Sequence, residues 1–207
     1  MEKLPLSEIE YLTKQDKTLG KIISHFGPSV AKIQKREPFD ALARAIISQQ
    51  LSNSASKSIE SKIIKIHGKR PFKPDLILSI ADEQLKKCGI SSSKIKAIKG
   101  IAVACIEKEL TLKTFKRMSD EEVLQKLTSY WGIGPWTADI FMMFCLKRLD
   151  ILALGDVGLQ RAHNIIYPKA ASLEITSQKW RPYRALAASY LWKFLDNPDC
   201  HKKIFSK

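Results

Sequence analysis

Residues 127–160 read LTSYWGIGPWTADIFMMFCLKRLDILALGDVGLQ, and the fold turns on how this run is interpreted. Gly132 and Gly134 flank one apolar residue, Ile133, and Pro135 follows directly. Proline suits the first turn of a helix, where its missing N–H would have no partner anyway, so a helix is predicted to begin at Pro135. Upstream, Ser119, Asp120, Glu121 and Glu122 open another helical pattern through Val123, Leu124 and Leu127. Ser119 is placed to cap it, with Glu122 as the reciprocal partner three positions on. The predicted unit is helix, tight Gly-X-Gly turn, helix, with the turn inside 127–140.

Such a turn has two physical consequences. The glycines let the backbone reach positive φ and come close to a neighbour, and the helix start behind them presents N–H groups with a partial positive charge. That is a seat for an anion. Thirty-five Lys and Arg face 21 Asp and Glu in this 207-residue chain, a net charge of +14. A nucleic-acid phosphate is therefore the expected anion, bound through backbone and so without sequence reading. A generic basic protein, or one drawn to an anionic membrane, would carry similar charge. A helix corner with packing glycines would carry a similar turn.

Twenty positions after Trp136 comes Asp156, in LALGDVGLQRAH. Gly155 and Gly158 bracket it, so crowding is low and a ligand backbone could approach. Asp156 also precedes a helical pattern through Leu159, Ala162 and Ile166, where it would serve as an ordinary N-cap. The two roles are compatible, because helix N–H donors favour the charged form of a carboxylate. Asp139 is a competing acid, three residues after Trp136 on the predicted second helix. No glycine brackets it, and its helix carries the apolar face Trp136, Ile140, Met143 and Phe144, which favours a structural role.

YWGIGPWTADIF followed by LGDVGLQRA resembles the signature of the helix-hairpin-helix (HhH-GPD) DNA glycosylases, and most closely their DNA-3-methyladenine glycosylase II branch. The resemblance implies an all-α fold of two helical lobes with a helix-hairpin-helix motif and an active-site cleft between them. Lobe one would span about 1–36 plus 150–207 and lobe two about 37–149. It further implies a hairpin that grips the DNA backbone through Gly132, Ile133, Gly134 and Thr137, and a catalytic Asp156. Trp136 stands where the relatives that also cut the strand carry a Schiff-base lysine, so a monofunctional enzyme that uses water is expected. Ala153 departs from the family pattern, which usually has proline there. The segment ARAIISQQLS is similar to the family region whose side chain fills the gap left by an extruded nucleotide, with Gln50 as the best match and Leu51 second.

The implied substrate is an alkylated purine flipped out of damaged double-stranded DNA. A cationic base would bind against electron-rich rings, each such contact worth about 0.5 to 2 kcal/mol. Tyr130, Trp131 and Trp136 near the turn, and Trp180, Tyr183 and Trp192 near the C-terminus, are the aromatics in reach of that pocket. Two other readings share the charge and the hairpin: a non-enzymatic helix-hairpin-helix DNA-binding module, and a lyase-type glycosylase for oxidised bases.

The rest of the chain sets bounds. With 44% hydrophobic and 27% charged residues it reads as an ordinary globular protein, expected to be intracellular and monomeric. The start MEKLPLSEIEYL lacks the apolar core of a signal peptide, and the longest strongly apolar run, residues 140–146, is far short of a membrane span. Cys88, Cys105, Cys145 and Cys200 are scattered, and His25, His67, His163 and His201 lack metal-ligand spacing. No cofactor or metal is expected, the family's iron–sulfur variant included.

In chain order, Pro5 and a Ser7/Glu10 pattern begin the first helix, and a second runs from Asp16 to Gly27-Pro28. A third starts at Pro38 with Phe39, Leu42, Ala43, Ile46 and Ile47 on one face. Gln50 continues that stripe and is expected to be buried, with partners for its amide. Asn53 or Ser54 should cap the next helix, and residues 69–75 form a basic loop. A long helix follows over 91–110, with Ile95, Ile98, Ile101, Ala102 and Cys105 inward and Lys94, Lys96 and Lys99 at its leading end, Lys94 being a candidate phosphate contact. Pro182 is expected to start the last helix, whose Trp192 and Leu195 help close the core.

Overall fold

The computed structural model describes residues 6–28, 37–68, 72–169 and 171–205. Pro5, the side chain of Ser7 and residues 69–71 of the basic loop lie outside that set. Every regular element among the described residues is helical, in agreement with the all-α expectation. The chain divides into two compact units, Met1–Gln34 with Lys147–Lys207, and Lys35–Leu146.

The first unit opens with α1 (Leu6–Gln15) and α2 (Lys17–Phe26). The second unit then holds α3 (Pro38–Ser48), α4 (Asn53–His67), α5 (Pro74–Ser79), α6 (Asp82–Lys87), α7 (Ser92–Ile106), α8 (Leu112–Phe115), α9 (Asp120–Thr128) and α10 (Pro135–Phe144). The chain returns to the first unit through α11 (Val157–Ile166), α12 (Leu173–Thr176), a 3₁₀ turn at Ser177–Trp180, α13 (Arg184–Leu195) and α14 (Cys200–Phe205).

In the second unit, α3 packs on α7, α4 and α10, and its Leu42, Ile46 and Ile47 are almost fully buried. Ile95, Ile98 and Ile101 of α7 meet the same core, and Phe115 stands edge-on to Phe141 with centroids 4.9 Å apart. Each such side chain contributes about 1.5 to 3 kcal/mol by leaving water. A buried ion cluster pins α3 to α4. Arg44 Nε donates to both oxygens of Asp40 at 3.0 Å, Arg44 pairs with Glu60, and the Phe72 N–H donates to Asp40 Oδ1 at 2.9 Å. Breaking one partner would strand a buried charge.

The first unit is organised around Asp16, the N-cap of α2. Its Oδ1 accepts from the N–H groups of Thr18 and Leu19, while Oδ2 accepts from Tyr167 Oη at 2.7 Å and Trp180 Nε1 at 2.8 Å and pairs with Lys179 at 3.0 Å. One acid thereby ties α2 to α11 and the 3₁₀ turn. No helix among the described residues is long and apolar enough to cross a membrane.

Several expected boundaries move for identifiable reasons. Ser52 caps α4, accepting from the Ala55 N–H, because the chain has already turned before Asn53. α13 starts at Arg184 and not at Pro182, because the Tyr183 N–H closes a turn onto the Trp180 carbonyl at 2.8 Å, and α14 succeeds α13 as the last helix.

Candidate active site

The predicted helix, turn, helix unit is present as α9, residues 129–134 and α10. Ser119 and Glu122 form the expected capping box, and Pro135 is the first residue of α10. The two glycines differ in kind. Gly132 has φ +81°, and a Cβ there would lie 2.6 Å from the Cβ of Ala97 on α7. Gly134 has an ordinary φ of −99°, and a Cβ there would meet nothing within 4 Å. The expectation of positive φ at both positions is corrected: only Gly132 needs it. Gly132 is required by the fold, whereas Gly134 leaves a step of bare backbone at a helix start that no side chain caps. Ile133 is buried and anchors the turn from within.

Gln49 is a residue that sequence reading passed over. Its Nε2 donates to the carbonyl of Gly132 at 3.0 Å and to Thr137 Oγ1 at 2.9 Å, fastening the end of α3 to both sides of the turn. Thr137 is correspondingly buried. Gln50 was expected to be buried on the α3 stripe, and this is corrected. The helix stops at Ser48, Gln50 has φ +57°, and its side chain is exposed together with that of Leu51. No periodicity marks this switch, because two consecutive glutamines look alike until the helix end is fixed.

Lys94 Nζ donates to the carbonyl oxygens of Ile47 at 2.8 Å and Gln49 at 2.7 Å, so its ammonium caps the end of α3. Burial lowers its pKa from the usual lysine value. Tyr130 Oη donates to Glu109, and burial, then that hydrogen bond, push the phenol up to about 12. Trp136 is half-buried on the first turn of α10. Trp131 is exposed, with the Lys96 ammonium 4.6 Å from its ring centroid. Trp180 is 0% exposed in the first unit and hydrogen-bonds Asp16. Its assignment to a substrate pocket is therefore corrected: a side chain with no surface cannot line an open site.

Asp156 lies in the first unit, at the N-cap of α11. The loop before it is closed by the Asp156 N–H donating to the carbonyl of Ala153 at 2.9 Å, and Ala153 is fully buried, so the turn forms without a proline. Oδ1 of Asp156 accepts from the Leu159 N–H at 2.7 Å and from Trp192 Nε1 at 3.1 Å. The capping role and a fixed carboxylate orientation are thus one arrangement. Gly158 sits beneath it, where a Cβ would lie 3.0 Å from that oxygen, while Gly155 faces open space. The sequence did not reveal the contact between Trp192 and Asp156, since 36 positions separate the two. Among the described residues no group of three or more His, Cys, Asp or Glu side chains is arranged to hold a metal.

What this arrangement can do is hold one carboxylate rigidly and, on the other unit, offer an uncapped, glycine-bared helix start to an anion. The family model for HhH-GPD superfamily base excision DNA repair proteins matches residues 43–182, a span that contains both features. DNA-3-methyladenine glycosylase 1 of Schizosaccharomyces pombe is 31% identical over 198 residues, covering 92% of this chain and 86% of that relative. The solved structure of the 3-methyladenine DNA glycosylase of that yeast in complex with abasic DNA is similar at a TM-score of 0.83, with 28% identity over 92% of this chain and 97% of the other. A DNA-3-methyladenine glycosidase from Bacillus halodurans is similar at a TM-score of 0.72, with 32% identity over 94% and 91% of the two chains.

Proposed function

The chain belongs to the HhH-GPD superfamily of base excision DNA repair proteins, and we propose that Asp156 is its catalytic carboxylate. The enzyme is a monofunctional DNA glycosylase that hydrolyses the N-glycosidic bond of alkylated purines and leaves an abasic site. Its partner is DNA; the substrate form is a damaged base swung out of the duplex, and the enzyme acts as a monomer. The observation that carries the residue assignment is the double anchoring of Asp156 Oδ1 by Leu159 and Trp192.

The chemistry follows from charge. As the bond from C1′ to the base nitrogen lengthens, positive charge grows on the sugar, and a fixed carboxylate beside C1′ stabilises it without having to reorganise. The alkylated base already carries positive charge, so it leaves neutral with the bonding electron pair and needs no proton from an acid. Water then adds its oxygen to C1′ and gives up a proton, for which Asp156 is the acceptor. Trp136, at the start of α10, supplies an aromatic face for the cationic base. Gly132, Ile133, Gly134 and Thr137 hold the strand through backbone, and Gln50 or Leu51, both exposed just past α3, fills the space the base vacates.

Asp156→Asn tests this directly. Release of 3-methyladenine from methylated duplex should fall below detection while binding to abasic-site duplex persists. Wild-type release by the variant would overturn the assignment.

A further inference from the structure

Trp131 opens the turn, one residue before Gly132, and is 54% exposed, the most solvent-open of the Phe, Tyr and Trp side chains among the described residues. Tryptophan is normally well buried, so an indole left in water at a functional turn needs a reason. The packing of the turn does not supply one, since its inward residue is Ile133. What the fold does supply is a cation. Lys96, the fifth residue of α7, is exposed and holds its ammonium 4.6 Å from the centroid of the Trp131 ring. The alignment is set by the residues that follow each of them, because Ala97 and Gly132 make the tight contact between α7 and the turn.

A flat aromatic face with a lysine ammonium over it, beside a turn of bare backbone, is a combination that suits a sugar–phosphate chain. Sugar C–H groups pack on the ring, a phosphate takes the ammonium, and no base edge is read. We propose that Trp131 and Lys96 form a second DNA contact next to the glycine turn, with the indole against a deoxyribose of the strand held by that turn and Lys96 on the adjoining phosphate. This rests on the glycosylase reading and extends it: Trp131 serves undamaged duplex as well as damaged, and stands outside the pocket for the flipped base.

The test measures binding to a lesion-free duplex by fluorescence anisotropy across a salt series, for the full chain and for Trp131→Ala, Trp131→Phe, Lys96→Gln and Lys96→Arg. Trp131→Ala should weaken binding about tenfold, and Trp131→Phe, which keeps a ring, should recover most of it. Lys96→Gln should reduce the salt slope by about one, and Lys96→Arg should restore it. Wild-type affinity within twofold in both Trp131→Ala and Lys96→Gln would overturn the proposal. So would a loss confined to lesion-bearing duplex, which would move Trp131 into the base pocket. Base release by the unaltered chain is scored separately, so a failed glycosylase reading is distinguished from a failed contact.

Discussion

The indole Nε1 of Trp192 donates to Asp156 Oδ1 at 3.1 Å, beside Gly158, where an added Cβ would lie 3.0 Å from that oxygen. With Leu159 on the same oxygen, rotation of the carboxylate about its last bond is stopped. Fixed orientation matters for the role proposed for Asp156, which is to face charge that exists only in the transition state. A hydrogen bond to a charged group contributes about 1.5 to 3 kcal/mol. Trp192→Phe keeps the ring and deletes the donor, so single-turnover base release should slow by roughly 10- to 100-fold. Affinity for abasic-site duplex should stay within about threefold of wild type. If Trp192 only filled space, the rate would be retained.

Gly158→Ala separates stability from catalysis at the same place. The position is helical without positive φ, so alanine favours α11 itself by about 0.5 to 1 kcal/mol. Yet the new methyl would sit 3.0 Å from Asp156 Oδ1 and 3.6 Å from Trp192 Cδ1. The carboxylate is the group displaced. The melting temperature should hold or rise while base release falls at least about tenfold, as small misplacements at a reacting centre are costly. Thermal melts and single-turnover assays on one preparation check both halves.

The two glycines of the turn should respond in opposite ways. Gly132→Ala combines a φ of +81° with a clash at 2.6 Å against Ala97, a loss of about 2 to 4 kcal/mol. The melting temperature should drop by roughly 5 to 10 °C. Ala97→Gly in that background removes the clash but not the φ strain, so recovery should be partial. Gly134→Ala has neither problem and should melt like wild type, while binding duplex more weakly because the methyl occupies the bared helix start. Equal melting of the two single variants would show that Gly132 is not the packing glycine.

These pairs also mark what the sequence could and could not convey. The turn, the capping box, Pro135 and the cap at Asp156 are local: each is set by residues within four positions, so pattern alone reaches them. Gln49 to Gly132, Trp192 to Asp156 and Trp180 to Asp16 join residues 83, 36 and 164 positions apart. Nothing in a linear pattern tells an aromatic that hydrogen-bonds a core acid from one that faces a ligand. That is why Trp180 and Trp192 read alike in the sequence, each as a core or a pocket aromatic. The division of labour between Gly132 and Gly134 was hidden likewise, because it depends on Ala97 in a helix of its own.

In the first unit, the folded protonation of His163 and of Asp16 sets a pH response in the acid range. His163 is buried, its Nε2 lies 2.9 Å from Thr176 Oγ1, and burial, assisted by the charge of Lys179, lowers its pKa from 6.5. A lowered folded value means that the unfolded chain takes the proton first. The stability this confers is complete above pH 6.5 and is lost as pH falls from there through the folded value. Asp16 acts further down: burial raises its pKa, the donors Tyr167, Trp180, Leu19 and Lys179 outweigh that, and the net value falls below 3.8. Its contribution is present above 3.8 and disappears as pH drops through the folded value. Urea unfolding at a series of pH values should therefore give two descents. His163→Gln should abolish the one that begins at 6.5 and leave the one below 3.8, whereas Asp16→Asn should abolish the lower and lower stability throughout by about 2 to 3 kcal/mol. A His163→Gln protein that still loses stability between pH 6.5 and 5 as wild type does would place that titration elsewhere.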